Sequence, residues 1–188
     1  AACLYFFTPK SKSSCFLDLL SCFILYIYIY MNKKIIIPVK EQKAKKYTNL
    51  YNKKFIFDKT NHIFIINKLF LNESFDGDTC VKRELKKKLS SYKQQDVKKK
   101  KYNAVDFIKE DELIEKLVIS RLKCFYCKQP VLLIYEFSRE KSQWTLDRIN
   151  NDKQHSNINC VVSCLKCNLE RRCLNDKKFL FTKQMRLI

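Results

Sequence analysis

Hydrophobic positions in the first half of the chain predict short elements between polar segments. β-Branched and aromatic runs at 35–39, 55–57 and 63–66 predict strands or extended segments. Apolar residues then recur at helical spacing over 81–89, with lysine and arginine on the other faces, and predict a helix. The following residues, 90–101, are mostly polar and end in four consecutive lysines. They indicate either a solvated linker or an arm that follows a phosphate backbone.

The second half of the chain has a denser pattern. An amphipathic stripe over 105–122 predicts a helix, which leads directly into a cysteine pair. Further elements follow: strands at 131–137, 143–149 and 160–162, a helix that begins at Cys164, and a helix over 176–183. The predicted fold class is therefore α+β, with a basic N-terminal extension over 31–104 and a zinc-binding domain over 105–188.

Two CxxC pairs lie in this domain, Cys124 with Cys127 and Cys164 with Cys167. A CxxC turn places two thiolates side by side, and two such turns supply the four tetrahedral ligands of a structural zinc ion. We therefore predict a zinc ion that joins the base of a hairpin to the start of the next helix. In so small a domain this metal would supply much of the folding free energy.

The chain is strongly basic, with 38 Lys and Arg residues against 19 acidic ones and a formal net charge of +19. This charge favours a polyanionic partner, with nucleic acid first and an anionic membrane surface second. A richness in Lys, Asn, Ile, Tyr and Phe is also typical of AT-rich genomes, which explains part of the basicity. Since the other six cysteines form no disulfide framework, we expect an intracellular, reducing compartment.

Residues 1–30 contain most of an apolar stretch, 16–31, which is short of the roughly 20 residues that a membrane span needs. The stretch also lacks the small-residue cleavage site of a signal peptide. Met31, followed by Asn32 and two lysines, has the character of an ordinary start. We interpret residues 1–30 as translated upstream sequence outside the native protein. A membrane anchor is the alternative, and only in that case would a membrane be a partner.

The segment from Cys124 to about Arg172 resembles the HNH (ββα-metal, His-Me finger) endonuclease superfamily. The resemblance rests on the two cysteine pairs, on the run 144–149 (Trp-Thr-Leu-Asp-Arg-Ile) between them, and on Asn168 directly after the second pair. It is greatest to the zinc-bearing branch that includes phage recombination endonucleases, and it extends to HNH-like proteins of large DNA viruses. It implies a small zinc-stabilised ββα-metal nuclease module behind a helix, and a metal-dependent DNA endonuclease. For a viral protein, the compartment would be the host cytoplasm or nucleus.

The resemblance also implies roles for individual residues. Asp147 and Asn168 match the family's ligands for a catalytic Mg²⁺ or Mn²⁺, and Asn159 matches the Asn that orders the loop. Phosphodiester hydrolysis needs a cation to neutralise charge on the phosphate and a base to deprotonate water. Oxygen ligands such as these suit a hard divalent cation. No small-molecule cofactor is expected.

The chain departs from the family at the base. Arg148 stands where the family has its catalytic His, and a guanidinium cannot accept a proton at any relevant pH. Arg148 could instead clamp the scissile phosphate as a bidentate donor. The candidate bases are His155, in the loop after this strand, and a metal-bound hydroxide that needs no protein base.

Basic side chains near the module are candidate contacts to the DNA backbone. They are Lys98, Lys99, Lys100, Lys101, Lys166, Arg171 and Arg172. Two alternatives to an endonuclease remain. One is a zinc-stabilised nucleic-acid-binding protein with a degenerate, inactive nuclease site. The other is a structural zinc module for protein interaction.

Overall fold

The computed structural model of the protein describes residues 43–44 and 53–185. The strand predicted at 35–39 and the segment 1–30 lie outside the described residues. The described residues all fall within one structural unit, Gln42–Ile188. Of the helices in these described ranges, none is long and apolar enough to cross a membrane.

Six α-helices, one short 3-10 helix and one two-stranded antiparallel sheet make up the described part of the chain. The predicted α+β class is confirmed at this level. In chain order the elements are α1 (Lys53–Phe57), the 3-10 helix (Lys59–Asn61), α2 (His62–Phe70), α3 (Asp78–Lys98), α4 (Glu110–Ile119), β1 (Trp144–Arg148), β2 (Cys160–Cys164), α5 (Leu165–Arg171) and α6 (Asp176–Gln184).

The strands predicted at 55–57 and 63–66 are wrong, because these segments form α1 and α2. Ile65, Ile66 and Leu69 are buried, whereas the side chains of Ile63 and Phe64 are about half exposed. This distribution follows the spacing of a helix face and not the alternation of a strand. The buried face of α2 packs against α4. Four apolar residues at 63–66 are too few to distinguish the periodicity of a helix from that of a strand, which requires a longer stretch of sequence.

Helix α3 is longer than the pattern over 81–89 predicts. It continues through the polar residues to Lys98 as one helix of 21 residues. The buried side chains on α3 include Tyr92 and Asp96 as well as apolar residues. Because these two polar groups take core positions on the same face as Val81 and Leu85, the apolar stripe in the sequence ends before the helix does. The residues predicted as a linker or arm therefore form a wall of the folded domain.

Residues 105–188 contain the predicted hairpin and all three predicted helices. The helix predicted over 105–122 is shorter in the structure, Glu110–Ile119. β1 pairs with β2 in antiparallel register, so that Leu146 lies opposite Val162 and Asp147 lies opposite Val161. α4 precedes the first cysteine pair, and α5 begins immediately after β2. At the start of α4, Glu112 accepts a hydrogen bond of 2.7 Å from the main-chain N–H of Lys109, which caps the helix.

The strand predicted at 131–137 is not formed. Val131, Leu133 and Ile134 are all buried, so the run is apolar because it lies in the core. Its main chain makes isolated bonds, with the Leu132 N–H donating to Ser142 and the Leu132 carbonyl accepting from Trp144. A continuous apolar run fits a buried strand and a buried irregular segment equally well. Here the segment is irregular.

His62 ties the N-terminal helices to this segment. Its Nδ1 accepts a hydrogen bond of 3.2 Å from the main-chain N–H of Leu133, and its Nε2 donates to the carbonyl oxygen of Ile56 at 3.0 Å. Both ring nitrogens are therefore used by the neutral imidazole. Burial lowers the pKa of His62 below its ordinary value of 6.5.

We expect the free energy of unfolding to decrease as the pH falls below 6.5. Below this pH His62 of the unfolded chain binds a proton, whereas the buried ring of the native protein does not, because its pKa is lower. The contribution of His62 to stability is therefore complete above pH 6.5 and is lost as the pH falls to the native pKa.

His62→Gln should flatten this dependence and lower stability at neutral pH by about 1–3 kcal/mol, since hydrogen bonds of a buried group are lost. Urea unfolding at several pH values measures both effects. Asn67→Gln is the matched control, because Asn67 is exposed on the same helix and does not titrate. An unchanged pH dependence in His62→Gln would contradict the assignment.

Candidate metal centre and adjoining cleft

The sulfur atoms of the two cysteine pairs converge on one point. The Sγ atoms of Cys124, Cys127, Cys164 and Cys167 all lie within 4.8 Å of one another. Tetrahedral zinc with Zn–S bonds of about 2.3 Å requires sulfurs roughly 3.8 Å apart. The Cys127 and Cys164 sulfurs are 3.9 Å apart. The four thiols therefore fit a structural zinc ion.

These thiols differ in how readily they lose a proton. A hydrogen bond from Cys164 lowers the pKa of Cys124 to about 5, and the same bond raises the pKa of Cys164. Burial, followed by the charge on Cys124, raises the pKa of Cys167 to about 12. The cluster by itself thus favours one thiolate over four, because like charges at this distance repel. A bound zinc ion would remove this obstacle by neutralising the sulfurs.

The main chain sets the cluster at the base of the hairpin. The N–H of Phe125 donates to the carbonyl of Val162 at 2.8 Å, which joins the first cysteine turn to β2. The N–H of Cys167 donates to the sulfur of Cys164 at 3.4 Å and starts α5. Zinc at this point would fasten β2, α5 and the first cysteine turn together.

Asp147 on β1 is held by Arg171 of α5. The guanidinium makes a bidentate pair, with Nε 2.5 Å from Oδ2 and Nη2 3.0 Å from Oδ1. The hydroxyl of Tyr126 donates to Oδ2 at 2.6 Å. Both charged side chains are almost completely buried. Arg171 was predicted to contact DNA; instead its guanidinium faces the carboxylate, because a buried charge needs a partner.

Asn168 lies on α5 beside the same strand. Its amide Nδ2 donates to the hydroxyl of Thr145 at 3.1 Å and to the carbonyl of Leu146 at 3.3 Å. Asn168 and Asp147 line one cleft. However, the only carboxylate of the pair is already neutralised by Arg171, and an amide oxygen alone is a weak ligand for Mg²⁺. As placed, the two residues do not fit a catalytic divalent cation.

Asp96 of α3 has no exposed surface and contacts two residues that line the cleft, His155 and Arg148. It accepts the main-chain N–H of His155 at 2.8 Å, and both of its oxygens lie 2.9 Å from the imidazole Nδ1. Nη1 of Arg148 lies 3.4 Å from Oδ1. The Tyr92 ring covers the imidazole, with centroids 4.8 Å apart. The structure thus brings His155 and Arg148 together around one buried carboxylate.

The proton on Nδ1 points to Asp96, so Nε2 carries the lone pair of the neutral imidazole. His155 is one of the residues that line the cleft. Burial lowers the pKa of His155, while the carboxylate of Asp96 opposes that shift. The imidazole is consequently neutral at pH 7.

The cleft lies between α3 on one side and β1 with α5 on the other, and has a volume of about 460 Å³. Its chemistry is that of a site for an anion: a neutral imidazole, an amide and several cationic groups surround a carboxylate that is already paired. The polar residues on its walls include Lys99, Asp147, Arg148, His155, Asn168 and Arg172.

Most of the other residues predicted for the site lie outside the cleft. Asn159 closes the loop after β1: its Oδ1 accepts from the N–H of Asn150, and its Nδ2 donates to the carbonyls of Asn150 and Gln154, each at 2.9 Å. Lys166 is exposed on α5. The lysines at 98–101 end α3 and begin the next loop, where Lys100 has a positive φ of 56°.

Asp96 and Tyr92 were not among the residues predicted for the site. Asp96 lies 59 residues before His155, inside a segment that is mostly polar. The available signal was the helical spacing itself, because Val81, Leu85, Tyr92 and Asp96 share a face if the helix is extended. A carboxylate on the buried face of a helix needs hydrogen-bond donors or a cation as partners, and this requirement indicates a buried polar cluster around Asp96.

No protein-family model, curated protein or solved structure matches this chain.

We expect Cys164→Ser to abolish stoichiometric zinc binding and to lower stability by several kcal/mol, because three thiolates hold the metal less tightly and the hairpin loses its link to α5. Elemental analysis and thermal unfolding measure the two effects. Cys173→Ser is the matched control, since Cys173 is exposed and outside the cluster. Wild-type protein that contains no zinc after purification under reducing conditions would contradict the assignment.

Proposed function

We propose that the protein is a DNA endonuclease that hydrolyses phosphodiester bonds in the cleft between α3, β1 and α5. One observation carries the proposal: the buried carboxylate of Asp96 holds the ring of His155, a residue that lines a cleft with cationic walls. The net charge of +19 and the resemblance to HNH nucleases support DNA as the substrate.

His155 is the proposed general base. An imidazole that donates Nδ1–H to a carboxylate has a fixed ring orientation and a more basic Nε2. Its lowered pKa keeps it neutral at pH 7, so it is ready to accept a proton. In the proposed reaction, Nε2 takes a proton from a water molecule whose oxygen attacks phosphorus. The bond from phosphorus to the leaving oxygen breaks, and that oxygen takes a proton from water.

Phosphate binding is assigned to Arg148 and to exposed cations at the rim. One nitrogen of Arg148, Nη1, is held by Asp96 and by the carbonyl of Lys153 at 3.3 Å. That leaves its other N–H groups for a phosphate oxygen, in keeping with the role predicted for it. Lys99 and Arg172 are exposed on opposite walls, one after α3 and one after α5. Together these groups would supply the charge stabilisation that the reaction requires.

A second function is favoured by the buried pair of Asp147 with Arg171. If the reaction needs a divalent cation at Asp147, this pair blocks it, and the protein would bind nucleic acid without cutting it. Lys99, Arg148 and Arg172 would then serve affinity alone, with zinc as the structural element. The two functions make the same prediction for binding and opposite predictions for cleavage.

We expect His155→Ala to reduce the rate of DNA nicking by about 10²–10⁴-fold, which is the usual contribution of a general base. Asp96→Asn should reduce it by about 10–100-fold, because the imidazole keeps its position less well. Supercoiled plasmid, incubated with and without Mg²⁺, provides the assay. Asp76→Asn is the matched control, since Asp76 is exposed and far along the chain from the cleft residues. Full activity of His155→Ala would remove His155 from the mechanism.

The pH profile of nicking gives a sharper test of the pair. Since a base works only when deprotonated, activity should fall on the acid side, below pH 6.5. Asp96 raises the pKa of His155, so in Asp96→Asn this acid limb should move to lower pH. If the acid limb of the nicking rate does not move in Asp96→Asn, a group other than His155 controls it.

We expect Lys99→Gln and Arg172→Gln each to weaken DNA binding and to reduce the slope of log affinity against log salt by about one, as for the loss of one phosphate contact. Fluorescence anisotropy with a labelled duplex at several salt concentrations measures this slope. Lys123→Gln is the control, because Lys123 lines a separate cavity beside α4. Equal slopes for all variants would place the DNA elsewhere on the protein.

A further inference from the structure

The guanidinium of Arg171 is saturated with acceptors. Besides its two bonds to Asp147, it donates through Nη1 to the carbonyl of Leu174 at 2.7 Å, and through Nη2 to the carbonyl of Arg148 and to Oδ1 of Asn151. Only 1 % of its surface is exposed. Removal of this charge from Asp147 would break every one of these bonds and leave a buried carboxylate without its counter-ion.

Charge at the cleft opposes a second cation. Asp147 and Arg171 cancel one another, and Asp96 is shared between His155 and Arg148. The other charged side chains on the walls named above, Lys99 and Arg172, are positive. A divalent ion would therefore meet a neutral pair and a surrounding positive field, whereas a carboxylate-based Mg²⁺ site needs an excess of negative ligands.

We propose that the guanidinium of Arg171 takes the place at Asp147 that the sequence assigns to Mg²⁺ or Mn²⁺, so that this carboxylate binds no exchangeable divalent cation. Arg171 acts there as a positioning residue. It joins α5 to the end of β1 through the carboxylate of Asp147 and the carbonyl of Arg148. It thereby fixes the strand end from which Arg148 reaches Asp96. This inference concerns cation binding, and it holds whether or not the protein cleaves DNA.

Mn²⁺ binding to zinc-loaded protein, measured by the loss of the free-Mn²⁺ signal in electron paramagnetic resonance, tests the proposal without an activity assay. Wild-type protein and Asp147→Asn should show the same weak, non-stoichiometric binding. Arg171→Gln, which frees the carboxylate, should gain about one Mn²⁺ per chain, in keeping with an oxygen-ligand site. The double variant Asp147→Asn/Arg171→Gln should lose that gain.

Stoichiometric Mn²⁺ binding to wild-type protein that is lost in Asp147→Asn would overturn the proposal. So would an Arg171→Gln protein that keeps its zinc and its circular dichroism yet gains no Mn²⁺. If Arg171→Gln does not fold, the comparison of wild-type protein with Asp147→Asn still decides the question. Nicking assays on the same samples are a separate readout, so failure of the proposed endonuclease activity cannot be confused with failure of this inference.

Discussion

The buried carboxylate of Asp96 is the interaction on which the candidate site depends. A carboxylate with no exposed surface costs several kcal/mol unless donors satisfy it, and here the donors are the main chain and ring of His155 and the guanidinium of Arg148. These bonds hold the loop after β1 against α3. As a result the imidazole and the guanidinium have fixed directions, and both residues line the cleft.

Two separate constraints meet at this cleft. On one side the four cysteines fix β2 and α5 to the first cysteine turn, in a geometry that suits zinc. On the other side α3 contributes Asp96 and Tyr92, whose hydroxyl accepts the main-chain N–H of Leu146 at 3.0 Å. The cysteine cluster thus lies at the start of α5, which forms one wall, and α3 holds the opposite wall through polar contacts.

Features set by local spacing could be predicted from the sequence, and features set by distant pairing could not. The cysteine pairs, β1, β2 and α5 follow from motifs a few residues long, and the structure contains them. Asp96 was missed because its partner lies 59 residues away. Arg171 was predicted to contact DNA because a basic residue on a helix usually faces solvent. Only its packing against Asp147 shows that the charge is internal.

The tautomer of His155 tests the central claim most directly. Long-range ¹H–¹⁵N NMR on the zinc-loaded protein distinguishes the two ring nitrogens, and His62→Gln assigns the signals because the chain has only two histidines. We predict a neutral His155 at pH 7 with its proton on Nδ1, in contrast to His62, which carries its proton on Nε2. In Asp96→Asn this preference should be lost. A proton on Nε2 of His155, or a charged ring at pH 7, would contradict the account.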